Sequence, residues 1–320
     1  MLIFWIIVFV ISLAALVKGA DWLIESAEKI GLALGLSPFL VGVLIVGIGT
    51  SLPELVSSFT ATVRGVSDVA VANTVGSNIA NILLVVGIAA VMAKKLKVTK
   101  SLIDLDLPLL ALVTILLGWC VLDGRVDFGE SLILVVSYVM YLGYIIFHKE
   151  EENISEGLAE IKTDETKVSK RKVTIKDFLL LVVGVVCLVL GSDYLITSLV
   201  NLSEILAVAT GLITITAVAI GTSLPELLVS VKAALKGKTD VAVGNIFGSN
   251  VFNSLVVVGL PGLFKTLTVD EKTLAIGLPV MALATLIFVI SGSSRRVYIW
   301  EGLFYLSFYF LFVVKLFGWF

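Results

Sequence analysis

The sequence predicts an all-α integral membrane protein: ten transmembrane helices forming two inverted five-helix repeats, with helices 2 and 7 broken. Three observations predict it: an apolar composition, ten apolar runs whose basic flanks alternate in density, and an internal duplication at constant offset. The 320 residues have a mean hydropathy of +1.10, with 58% hydrophobic and 15% charged residues. Soluble domains are far more polar. Stretches of roughly 20 apolar residues, enough to cross a bilayer core of about 30 Å, recur along the whole chain. The net charge of −2 gives no sign of a nucleic-acid partner. Cys120 and Cys187 lie inside apolar runs and read as small buried hydrophobes. His148, beside Lys149, reads as interfacial. Residues 1–17 have no basic segment before the apolar stretch and no clean small-x-small site, so they read as the first span rather than a signal peptide.

Apolar runs bounded by charge, Gly and Pro place the spans near 2–28, 39–63, 69–92, 103–121, 128–147, 175–200, 209–235, 241–263, 272–291 and 297–318. Basic residues orient the stack. With both termini outside, inner loops and span ends hold eighteen of the 23 Lys and Arg residues, among them Lys94, Lys95, Lys232, Lys236, Lys238, Arg295 and Arg296. Only Arg64, Arg125, Lys265, Lys272 and Lys315 fall outside. The polar stretch 148–176 then reads as a cytoplasmic linker, flexible or holding a short surface helix. It separates a first unit, 1–147, from a second, 177–320.

Residues 47–87 and 219–259 are the same motif at an offset of 172, identical at 24 of 41 positions without a gap. A weaker echo pairs GADWLIES at 19–26 with GSDYLITS at 191–198. Five spans per copy is an odd number, so the second copy enters the membrane upside down. Inverted repeats of this kind place a substrate site near the midplane and give a physical route to alternating access.

The core of each copy is GTSLPE, at 49–54 and 221–226. Pro53 and Pro225 lack an N–H, so the carbonyls of Gly49 and Gly221 lose their helical donor. Freed carbonyls at membrane depth must line a cavity or hold a cation. Glu54 and Glu226 follow the prolines, and a carboxylate at that depth reads as functional. Two carboxylates with hydroxyls and carbonyls make an all-oxygen site suited to a hard divalent cation such as Ca²⁺. No thiolate or imidazole is at hand for a softer metal. The second part of each copy, GSNIAN at 76–81 and GSNVFN at 248–253, sets Ser77 and Asn81, then Ser249 and Asn253, on single helix faces. These neutral oxygens suit a monovalent ion.

Other polar residues read as structural. Ser51 and Glu54 fit a capping box, although a neutral Gln could make the same cap. Asn73, Asn78, Asn245 and Asn250 read as hydrogen-bonders. Asp68 and Asp240 read as helix caps, and Asp21 and Asp193 as repeat-matched structural acids.

GTSLPE followed by GSN-x-x-N, duplicated in two membrane halves, resembles the alpha repeats of the sodium/calcium exchanger family in its compact prokaryotic form. The resemblance covers both motifs and the ten-span plan. It implies an antiporter, not an enzyme, with no prosthetic group, that exchanges several Na⁺ for one Ca²⁺ across the bilayer; because one chain contains both glutamates, it is expected to work as a monomer. It implies Ca²⁺ ligation by Glu54 and Glu226 with the carbonyls of Thr50 and Thr222. It implies Na⁺ sites drawing on Gly47, Ser51 and Ser249 on one arm and on Ala219, Ser223 and Ser77 on the other, with Asn81 and Asn253 lining the middle. Gly47 stands where the second copy has Ala219, a change that a carbonyl ligand survives. Asn253 stands where K⁺-dependent relatives carry an acid, which argues against K⁺ co-transport. A Ca²⁺/H⁺ exchanger and a K⁺-dependent exchanger are the alternatives. A membrane hydrolase would need a nucleophile–base set that the sequence does not offer.

Overall fold

The computed structural model describes residues 2–97, 106–160, 173–205 and 223–316. Ten helical segments appear in them: α1 (Leu2–Ala33), α2 (Pro38–Val63), α3 (Asp68–Ala93), α4 (Leu107–Val121), α5 (Phe128–Glu160), α6 (Ile175–Ile205), α7 (Leu224–Leu235), α8 (Thr239–Gly262), α9 (Thr273–Ser293) and α10 (Ile299–Leu316). Eight of these are long and apolar enough to cross a bilayer. The other two are α4, a shorter apolar helix, and α7, whose expected span begins among residues outside the described set.

Burial separates centre from periphery. The most apolar stretch of α8 is 94% buried, against 17% in α1 and 28% in α6. Helix α8 is therefore the hub, while α1 and α6 present rows such as Ile3, Ile7, Val182 and Val186 outward. Outward apolar rows of this kind match an acyl-chain solvent.

Helices α1 and α6 pack tightly on each other at small residues. A Cβ on Gly19 would come within 2.9 Å of Cys187 Cβ, and one on Gly191 within 2.9 Å of Leu16 Cγ. Gly19 and Gly191 are repeat mates, as are Leu16 and Leu188, so the crossing respects the duplication. Small residues at such crossings let backbones approach.

Two short antiparallel pairs report the inverted symmetry directly. Strand β1 (Lys95–Lys97) follows α3, and β2 (Arg125–Val126) follows α4. Strand β3 (Leu267–Thr268) precedes α9, and β4 (Arg296–Tyr298) precedes α10. β1 pairs with β4, and β2 with β3. The offset of 172 carries β1 onto β3 and β2 onto β4, so exchanging the halves turns one pair into the other. Each pair joins the two repeats, one pair at each face of the molecule.

Two expectations change in detail. Helix α5 continues past its apolar run to Glu160, so the helix that 148–176 could hold is a prolongation of the fifth span and not a separate surface segment. Its Glu-, Leu- and Ala-containing sequence favours helix. Residues 161–172 lie outside the described set. Asp68 is the first residue of α3, one position inside the N-cap Ser67, and Asp240 lies in the first turn of α8, whose N-cap is Lys238. Both acids favour the positive helix N-terminus without occupying the cap.

Candidate ion-binding site

The site lies where α2 crosses α8. Backbone meets backbone there. A Cβ on Gly42 would stand 2.6 Å from Val241 O, and one on Gly248 would stand 2.5 Å from Val43 O. This close approach brings the GTSLPE segment of the first repeat against the GSN segment of the second.

Within α2 the hydrogen-bond pattern changes along the helix. Val41–Gly47 is π-helical, and Ile48–Val63 is α-helical with Pro53 inside. The break expected in helix 2 is thus a change of register ahead of the proline, with the chain still helical. In the second repeat α7 starts at Leu224, with Ser223 at the N-cap position and Pro225 in the first turn. Residues 206–222, including Ala219, Gly221 and Thr222, lie outside the described set.

All ten expected site residues that are described are buried. Glu54 is 1% exposed and Glu226 0%. Gly47, Thr50, Ser51, Ser77, Asn81, Ser223, Ser249 and Asn253 are buried with them. Ser51 Oγ donates to Glu226 Oε1 at 3.1 Å, so the second repeat's carboxylate meets α2 one turn before Glu54. Ser51 therefore serves the opposite repeat rather than a capping box, and its helix has already begun at Ile48.

A second cluster gathers Gly47, Thr50 and Ser249. Ser249 Oγ donates to Gly47 O at 3.2 Å. The Thr50 hydroxyl has Asn245 Oδ1 at 3.1 Å, and Gly47 O and Ser249 Oγ each at 3.3 Å. On the other arm, Ser223 Oγ is buried without a hydrogen-bond partner among the described residues. The same is true of both Glu54 carboxylate oxygens, Glu226 Oε2, and the amide oxygen and nitrogen of both Asn81 and Asn253. Buried polar atoms left in this state are costly, and a polar cavity or a cation satisfies them.

The asparagines read as hydrogen-bonders do hydrogen-bond to protein. Asn245 Nδ2 donates to Ser230 Oγ at 2.8 Å, and its repeat mate Asn73 Nδ2 donates to Ser58 Oγ at 3.2 Å. Asn78 Nδ2 donates to Ser254 Oγ at 2.8 Å, and Asn250 Nδ2 to Ile246 O at 2.6 Å. Sequence reading passed over Ser58 and Ser230, both fully buried. Their signal was available, since each lies four residues after its glutamate on the same helix face.

Asn81 and Asn253 sit at repeat-related changes of helix type. Ala80–Val85 in α3 and Asn253–Val257 in α8 are both π-helical. A π-helical turn widens the helix and leaves main-chain carbonyls imperfectly paired, which is why such turns collect at functional sites. Hydropathy carries no trace of this change.

Comparison with known proteins identifies the family and supports the fold. The family model described as sodium/calcium exchanger protein matches residues 4–147 and 176–318. The sodium/calcium exchanger MaX1 of Methanosarcina acetivorans is 31% identical over 97% of this chain and 98% of its own. Inner membrane protein YrbG of Escherichia coli is 32% identical over 88% of this chain and 86% of its own. A structure of the sodium-calcium exchanger NCX_Mj superposes with a TM-score of 0.82 at 25% identity, covering 99% of this chain and 100% of its own. A match over both halves, with the paired glutamates, hydroxyls and asparagines buried together where the halves cross, places this chain in the sodium/calcium exchanger family.

Proposed function

We propose that the chain is a multi-pass membrane antiporter that exchanges Na⁺ for Ca²⁺ by alternating access at a single site. The observation that carries this reading is the pair of repeat-related glutamates, Glu54 and Glu226, buried beside neutral oxygens from both halves. Two carboxylates out of water need counter-charge. One Ca²⁺ or a set of Na⁺ ions supplies it, and both cannot do so at once. Ca²⁺ is held by Glu54 and Glu226 with the carbonyls of Thr50 and Thr222. Na⁺ ions occupy Gly47, Ser51 and Ser249 on one arm, and Ala219, Ser223 and Ser77 on the other, with Asn81 and Asn253 between. The burial of the described members of this set, and the joining of Gly47 to Ser249, support the assignment.

More than two Na⁺ per Ca²⁺ makes the exchange electrogenic. The chain acts as a monomer in the bilayer, since one copy carries both glutamates. Units 1–147 and 177–320 are the two repeats, joined by a cytoplasmic linker at 148–176, with both termini outside. The excess of Lys and Arg on alternate loops supports that orientation. The chain catalyses no chemical conversion.

The test is radioactive Ca²⁺ uptake into Na⁺-loaded proteoliposomes, repeated with a K⁺ or a proton gradient as sole driver. Uptake that requires internal Na⁺ and proceeds without K⁺ is expected. Uptake driven by a pH gradient alone would overturn Na⁺ coupling and place the Ser and Asn cluster in proton-coupled exchange.

A further inference from the structure

At the face of the β1–β4 pair, a row of ion pairs binds α1 to the end of α7 and the turn that leads into α8. Lys232 Nζ lies 2.8 Å from Asp21 Oδ2, and Lys236 Nζ lies 2.9 Å from Asp21 Oδ1. Lys236 also pairs with Glu25 at 3.4 Å, and Lys238 pairs with Glu28. The offset of 172 carries Asp21 onto Asp193 of α6 and Lys236 onto Arg64 at the end of α2. The charge pattern of the Asp21–Lys236 pair is therefore repeated at the opposite face. There the contact is open. Asp193 and Arg64 line one cavity of about 860 Å³ between α2 and α6, which reaches inward to Leu52 and Pro53 beside Glu54. Among the described residues neither one makes an ion pair.

Helices α1 and α6 are one mechanical body, locked by the crossing at Gly19, Gly184 and Gly191 and by the Lys29–Asp177 pair at 3.1 Å. If the second access state is the repeat-exchanged image of this one, a movement of that body which draws Asp21 away from α7 brings Asp193 toward α2.

We propose that Asp21–Lys236 and Asp193–Arg64 are alternating latches, one closed in each access state, and that the first is the stronger. This rests on the alternating-access reading above. The remaining partners explain the inequality. Glu25, Glu28, Lys232 and Lys238 map onto Thr197, Val200, Thr60 and Val66, none of which is charged. One latch is a network and the other a single pair. The difference biases the exchanger toward the arrangement seen here, in which Asp21 is paired with Lys236 and Asp193 is not paired with Arg64 among the described residues. Exposed pairs are individually weak and networks less so, which suits a latch that ion occupancy must override on each cycle.

The test is pulsed electron spin resonance distance measurement on the full-length protein in nanodiscs. Spin labels are placed by Val63→Cys and Tyr194→Cys in a Cys120→Ala, Cys187→Ala background. The short-distance fraction reports closure at the β2–β3 face. Asp21→Asn should raise that fraction about two- to five-fold, the range for a partly exposed pair. Asp193→Asn and Arg64→Gln should each lower it, and the charge exchange Arg64→Asp with Asp193→Arg should restore it. An unchanged fraction in all three single variants, or a charge exchange no better than the singles, overturns the latch. Ca²⁺ uptake by the unlabelled wild-type chain is measured in parallel. If that uptake does not depend on Na⁺, the antiport reading falls, while the distances still decide whether the latches exist.

Discussion

Around Ser-Leu-Pro-Glu the two repeats have one sequence and two geometries. In the first, the helix is already running when it reaches Ser51, and it continues through Pro53. In the second, Ser223 stands at the N-cap position of α7 and is not itself helical, and the residues before it lie outside the described set. Ser51 donates to Glu226, whereas among the described residues Ser223 Oγ donates to nothing and the Glu54 carboxylate accepts from nothing. The duplication gives both halves the same chemistry, and the conformation lets only one half use a given contact. An inverted repeat caught in one access state must look like this, because a perfectly symmetric arrangement would be open to both sides or to neither.

The strongest way to break the comparison is at the acids. Glu54→Gln and Glu226→Gln should each cut Na⁺-driven Ca²⁺ flux about 100-fold or more, since each removes a buried charge from the site proposed to hold the ion. Retained flux in either variant would show that the two acids are not equivalent ligands of one ion. Next is the crossing that joins the halves. Gly248→Ala places a methyl group 2.5 Å from Val43 O and 2.7 Å from Val43 Cα, both backbone atoms. It should lower stability by about 1–3 kcal/mol, read as a drop in melting temperature in detergent. Gly118→Ala, where a Cβ meets nothing within 4 Å, should leave it unchanged. The smallest effect separates the serines. Ser51→Ala removes a made hydrogen bond worth about 1 kcal/mol and should shift apparent ion affinity about five-fold. Ser223→Ala should cost less in stability than Ser51→Ala, because no described protein contact is lost. Equal stability loss in both variants would mean that the asymmetry around the glutamates is shallow.

Much of the architecture was legible. Ten apolar runs became ten helical segments because the bilayer fixes their length and charge marks their ends. The glutamates were legible because carboxylates in apolar runs are expensive. The π-helical turns at Val41–Gly47, Ala80–Val85 and Asn253–Val257 were not, since one extra residue in a turn leaves composition untouched. The strands were too short for any alternation to show. Helix α5 outran its apolar segment because polar helix formers continue a helix as readily as apolar ones. The unequal use of Ser51 and Ser223 was out of reach, because the two copies are identical at GTSLPE and the motif alone cannot say which serine meets the opposite glutamate.

The exchanged strands bear on how such a chain could have arisen. β1 is completed by β4 and β2 by β3, so neither half owns a finished pair. A half-length ancestor inserted in both directions would find its missing partner strand in an oppositely oriented copy of itself, at both faces at once. Joining two such genes end to end would then fix in one polypeptide an assembly that its backbone edges had already specified. Isolated halves would display bare strand edges on either side of the membrane, and bare edges seek company.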